Sequence, residues 1–154
     1  MSATPNPTRT APASAAQRSG AVLDTTGLTA FYGDFQALFG VDFHLDAGEV
    51  AAIIGANGAG KSTFLKSLVG LIGNAADMVH FDGQPIGAMH PSAGVGLGLA
   101  LVPEGRRLFS SLTVEENLLI GGQHTRREGP WSPEALYDLL PALGERRPNP
   151  RAAR

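Results

Sequence analysis

The stretch Gly55-Ala-Asn-Gly-Ala-Gly-Lys-Ser62 constrains this chain more than any other. It satisfies the spacing G-x-x-x-x-G-K-[ST] of a phosphate-binding loop in full. Its flanks agree with that reading. Val50 to Ile54 is an unbroken apolar run, with the length and residue types of a strand buried in a parallel sheet. Phe64, Leu65, Leu68, Val69 and Ile72 then recur at helical spacing, so the loop is predicted to open a helix. Strand, loop and helix in this order form the phosphate-loop unit. A glycine-rich turn that merely precedes a lysine would lack both flanks.

The residue types suit a triphosphate, which needs many N–H donors pointing inward at short range. Gly55, Gly58 and Gly60 are expected to let the backbone curl and approach the phosphates without a Cβ in the way. A helix starting near Lys61 adds the partial positive charge of its N-terminus. Lys61 is placed to reach the β- and γ-phosphates, and the Ser62 hydroxyl to ligate Mg²⁺. Asn57, Ala59 and Thr63 complete the expected nucleotide-binding set.

The chain of 154 residues suffices for one domain with a real core. Twelve basic against fourteen acidic residues give a net charge of −2, which argues against a broad nucleic-acid footprint. Only two of the basic residues are lysines, Lys61 and Lys66. With no cysteine there is no disulfide framework, thiol nucleophile or Cys-based zinc site. No apolar run is long enough to span a membrane, and the N-terminus carries no apolar signal core.

Taken in order, residues 1–20 are Ala, Ser, Thr, Pro and Arg with almost no large apolar side chain, which predicts a disordered tail. Val22 to Asp46 reads as antiparallel: Val41, Phe43 and Leu45 alternate with Asp42, His44 and Asp46, and Asp46-Ala-Gly48 turns. His44 falls on the polar phase, as a solvated histidine. Phe31-Tyr32-Gly33 reads, from spacing alone, as a core or turn aromatic. Met78 to Ile86 reads as a hairpin around Asp82-Gly83. That pair rules out a Walker B strand ending at Asp82, since His80 breaks the apolar run and Asp-Gly is a turn pair. Gly94-Val-Gly-Leu-Gly98 is a poor match to a dinucleotide loop and precedes a strand expected at Leu99 to Val102, ended by Pro103. Glu104, in the polar loop at that strand's C-terminal end, is a candidate site residue because such loops line the ligand crevice in open α/β sheets. Thr113-Val-Glu-Glu116 is a capping box opening a helix, and Ser132-Pro133-Glu134 opens another, interrupted at Pro141.

Together these words resemble the ATP-binding subunits of ABC transporters, and more narrowly those of branched-chain amino-acid importers. The resemblance covers residues 22–154. It is carried by Phe31-Tyr-Gly-Asp-Phe-Gln-Ala-Leu38, the phosphate loop through Thr63, Leu101-Val-Pro-Glu-Gly-Arg-Arg107 and Leu112-Thr-Val-Glu-Glu-Asn-Leu118. It implies an α/β P-loop NTPase fold: the N-terminal half, with an antiparallel β subdomain, a partial parallel core sheet, and a helical subdomain from about residue 108. It implies ATP and Mg²⁺ as ligands, with Tyr32 stacking on adenine. Glu104 falls at the Q-loop position, a catalytic position where the wider family has Gln near Mg²⁺ and the attacking water. The implied partners are membrane-spanning permease subunits and a second nucleotide-binding subunit, and the implied location is peripheral, on the cytoplasmic face of the plasma membrane. The family's signature, Walker B and switch-histidine motifs are not found, so the chain is expected to be an incomplete product that does not hydrolyse ATP alone. Leu119-Ile-Gly-Gly-Gln123 mimics the signature, but Ile120 stands in place of Ser; His124 has no claim to be the switch histidine. A nucleotide-binding remnant without catalysis shares every residue with this reading. A different P-loop enzyme, such as a small-molecule kinase or GTPase, would need a lid, an acceptor site or an Asn-Lys-x-Asp motif; that motif is missing, and residues 112–127 supply no obvious acceptor pocket.

Overall fold

The computed structural model describes residues 21–105, 107–122 and 129–149. The expected N-terminal tail, Arg106, Gln123 and His124 lie outside the described residues. The chain begins with a long antiparallel pair, β1 (Ala21–Tyr32) and β2 (Phe35–Asp46), joined by a tight turn at Gly33-Asp34. Leu23 and Thr25 face the core, as do Leu28 and Ala30. Strict alternation would put the second pair on the wrong face. The pairing slips between Thr25 and Leu28, where Gly27 takes φ +56° and its N–H bonds Asp42 Oδ1 at 2.6 Å. This bulge keeps both halves of the strand facing one core.

The sheet order is β2-β1-β3-β4, with every pairing antiparallel. β3 (Val79–Phe81) and β4 (Gln84–Pro85) are the expected hairpin. Asp82 and Gly83 both have positive φ, +47° and +73°, as a primed two-residue turn requires. Asp82 is thus a turn residue. His80 pairs across the ladder with Asp24.

Helix α1 (Lys61–Leu68) closes the core over this sheet. Phe64 and Leu68 are buried, and the Phe64 ring meets Phe43 edge-on at 5.3 Å. Such a pair contributes about 0.5–1.5 kcal/mol beyond the area it buries. Leu65, expected on the same apolar face, instead points outward, and Thr63 and Ser67 take the inner positions.

Two expected core strands are corrected. Residues 49–56 form no strand, and neither do residues 99–103. Val50, Ile54 and Val102 are 94%, 92% and 94% exposed. The reason is pairing: a strand exists only where a neighbour takes up its N–H and C=O groups. Among the described residues no segment pairs with either run, and the four-stranded ladder is built elsewhere. The glycine run at 94–98, a poor match to a dinucleotide loop, is helical. It lies in helix α2 (Pro91–Leu97), with Pro91 in the first turn and Gly98 as a left-handed C-cap at φ +102°.

The C-terminal part packs on itself. The capping box is formed: the Thr113 N–H donates to Glu116 Oε2 at 2.8 Å, and the Glu116 N–H to Thr113 Oγ1 at 3.2 Å, opening α3 (Val114–Gly122). Ser132 caps α4 (Pro133–Leu139), and Pro141 begins the short α5 (Pro141–Gly144). Arg147 pairs with Glu115 and lies 5.2 Å over the Tyr137 ring, tying the end of the described chain to the start of α3. No helix among the described residues is long and apolar enough to cross a membrane.

Candidate functional site

The phosphate loop is shaped by two left-handed glycines. Gly58 has φ +83°, and Gly60, the N-cap of α1, has φ +90°. Gly60 is required twice over, since a Cβ there would lie 2.9 Å from Leu38 Cδ2. Gly55 is not left-handed, and a Cβ there would make an ordinary 3.4 Å contact with Ala59. The Ala59 N–H donates to Ala56 O at 3.2 Å, which tightens the turn from within. Gly55 and Ala59 therefore form the loop's frame rather than its inner surface.

Lys61 folds back over this frame. Its Nζ donates to the carbonyls of Gly55 at 2.7 Å and Ala56 at 2.8 Å. The first turn of α1 carries no acidic side chain, and its leading N–H groups have no partner within the helix. An ammonium and a free helix N-terminus thus face one volume, the arrangement that attracts phosphate.

That volume is a cavity of about 570 Å³ with two unlike walls. One wall is polar: Asn57, Gly58, Gly60, Lys61, Ser62, Thr63 and Glu104. The other is largely apolar: Tyr32, Phe35, Ala37 and Phe39 from the β1–β2 hairpin, with Gln36 beside them. The ladder pairs Phe35 with Tyr32 and Phe39 with Thr29, and it slips at Ala37, so Phe35 shares the face of Tyr32. Glu104 reaches the loop from 42 positions away, where its Oε1 accepts from Ser62 Oγ at 3.0 Å. Tyr32 Oη lies 3.3 Å from Thr63 Oγ1, which ties the aromatic wall to the first turn of α1.

The structure so brings together Tyr32, Asn57, Gly58, Gly60, Lys61, Ser62, Thr63 and Glu104. Phe35 and Phe39 were not singled out by the sequence. A signal was present, because Phe35 follows Tyr32 across a two-residue Gly-Asp turn, which sets the two side by side in a hairpin. Asn117 was also missed. Its side chain bonds both the N–H and the carbonyl of Phe109 and the Thr113 carbonyl, pinning the loop that leads into α3.

A Mg²⁺ ion prefers hard oxygen ligands and commonly takes one or two from protein, the rest from phosphate and water. Ser62 Oγ and Glu104 Oε1, adjacent on the cavity's polar wall, fit that donor set. Among the described residues there is no cluster of three His, Cys, Asp or Glu side chains able to hold a metal by themselves.

Comparison with known proteins bears on the family. The sequence model of the family described as ABC transporter matches residues 38–153. The chain is 40% identical over 120 residues to the high-affinity branched-chain amino acid transport ATP-binding protein BraG of Pseudomonas aeruginosa, covering 77% of this chain and 52% of that one. It is 35% identical over 105 residues to the ribose import ATP-binding protein RbsA of Yersinia pestis bv. Antiqua, covering 68% of this chain and 21% of the other. A solved structure described as the ATP binding subunit of an ABC transporter superposes with a TM-score of 0.65 at 30% identity, over 82% of this chain and 53% of that one. The chain spans about half the length of the Pseudomonas protein it matches. On the family match and the fold together, the chain belongs to the ABC transporter family.

Proposed function

We propose that this chain binds ATP with Mg²⁺ in the cavity between the phosphate loop and the β1–β2 hairpin, as an ATP-binding subunit of an importer. The observation that carries the reading is the mixed lining of one cavity: aromatic side chains of the hairpin together with a cradle of glycine backbone, lysine and helix N-terminus. A nucleotide has that same division, with a flat apolar base at one end and a polyanion at the other. The Lys61 ammonium would exchange its two carbonyl bonds for phosphate oxygens. Ser62 and Glu104 would hold Mg²⁺, which neutralises charge on the phosphates. Tyr32 and the apolar wall would orient the base and exclude water from it.

Branched-chain amino acids are the proposed cargo, supported by 40% identity over 120 residues to the Pseudomonas protein, beside ribose import proteins of up to 39% over 100 residues. The proposed partners are permease subunits and a second nucleotide-binding subunit, with the chain peripheral on the cytoplasmic face of the membrane. Residues from about 108 onward are the proposed start of the helical subdomain.

Titration of the full chain with ATP in Mg²⁺ buffer tests the site. Lys61→Ala is expected to weaken binding far more than Lys66→Ala, because Lys61 lines the cavity and Lys66 does not. Equal losses, or none, would overturn the assignment.

A further inference from the structure

Phe35 is 70% exposed at the tip of a hairpin, beside Tyr32, its direct partner in the ladder. A single exposed aromatic needs no explanation. Here Tyr32 and Phe35 share one face of the hairpin and both line the cavity that the phosphate cradle also lines. The hydroxyl contact between Tyr32 and Thr63 fixes the Tyr32 ring close to the start of α1. Phe31, next in sequence to Tyr32 and similarly exposed, points away from the cavity, as adjacent strand residues must. The family match begins at residue 38, downstream of both rings.

We infer that Phe35 is a second base-contacting residue, so that the base is recognised by a pair of rings, Tyr32 and Phe35, presented across one turn. This rests on the cavity being a nucleotide site. Tyr32 supplies the face held by Thr63. Phe35 supplies the outer face, without a tether, and sets how strongly the extended ring system of a purine is preferred over the smaller pyrimidine. Offset or edge-on contact with an aromatic ring is the interaction available to it, since its side chain has no polar atom.

The test titrates the full chain, with Mg²⁺ present, against ATP, UTP and inorganic tripolyphosphate. Phe35→Ala is expected to weaken ATP binding on the order of fivefold, to affect UTP less, and to leave tripolyphosphate binding unchanged. Phe35→Tyr is expected to restore ATP affinity, and Phe31→Ala to match the parent throughout. Unchanged ATP affinity in Phe35→Ala would overturn the inference, as would a parallel loss of tripolyphosphate, which would mark a purely structural role. Either result leaves the phosphate site standing. A parent chain that binds neither ATP nor tripolyphosphate would overturn the nucleotide reading as well.

Discussion

Gly60 shows how a single residue sets the site. Its φ of +90° starts α1 at the angle that turns the helix N-terminus into the cavity, and Leu38 fills the space a Cβ would need. Gly60→Ala is therefore expected to destabilise the chain by about 1–3 kcal/mol, from left-handed strain and displacement of Leu38. A thermal or urea melt checks this, with Gly55→Ala as the contrast. That substitution meets only ordinary contact and should cost clearly less. Tyr32 acts in two ways, through its ring and through its hydroxyl. Tyr32→Phe removes only the 3.3 Å contact with Thr63 and is expected to keep most ATP affinity. Tyr32→Ala removes the ring and should lose several-fold more. Equal effects of the two would mean that the ring makes no contact with the base. The place of Lys61 at the start of α1 was legible in the sequence because the loop motif is local. That of Phe35 at the cavity was not, because it depends on the register of β2 against β1.

Among elements, the most local signals carried furthest. The Asp82-Gly83 hairpin and the Thr113–Glu116 capping box were legible because each is complete within a few residues. The β1 bulge was not, since a slip of phase at Gly27 is decided by the partner strand. Helix α2 hid behind three glycines, although Pro91 in its first turn and Gly98 after its end are the expected start and stop. The capping box also carries a pH dependence. The Thr113 N–H and hydroxyl, bonding the Glu116 carboxylate, hold its pKa below the ordinary value of 4.5. The Arg147 guanidinium does the same for Glu115. Carboxylates with lowered folded pKa values stabilise the fold above the unfolded value, and that contribution is lost as pH falls through the folded value. Amide-exchange protection in α3 is thus expected to be constant from pH 7 to about 5 and to fall below 4.5. Glu116→Gln should flatten part of that decline. An equally steep decline in Glu116→Gln would show that the capping carboxylate is not its source.

At the scale of the whole molecule, the antiparallel sheet is complete and the runs at 50–54 and 99–102 are not. The sequence marks both runs as buried because they are apolar and uninterrupted, but burial needs partners that lie beyond local pattern. Exposed apolar backbone with unpaired N–H and C=O groups invites association. The 154-residue chain is expected to sediment as concentration-dependent oligomers, and Val50→Lys with Val102→Lys to shift it toward monomer. A parent chain that is monomeric and melts in one sharp transition would contradict this. Glu104 is the one carboxylate among the described residues that line it, and hydrolysis needs both a charge-neutralised phosphate and an oriented water. Phosphate release by the purified chain is expected to stay far below the order of 1 per second of ordinary enzymes. Turnover near that rate, abolished in Lys61→Ala, would mean that Glu104 serves as the base.

The account stands on one cavity holding the base against the hairpin and the phosphates against the loop, and hydrogen–deuterium exchange with and without ATP and Mg²⁺ tests that most directly. It predicts simultaneous protection of two separated segments, the β1–β2 turn at 32–39 and the phosphate loop with the start of α1 at 55–64, and loss of both in Lys61→Ala. Protection confined to one segment, or centred on α3 instead, would contradict it.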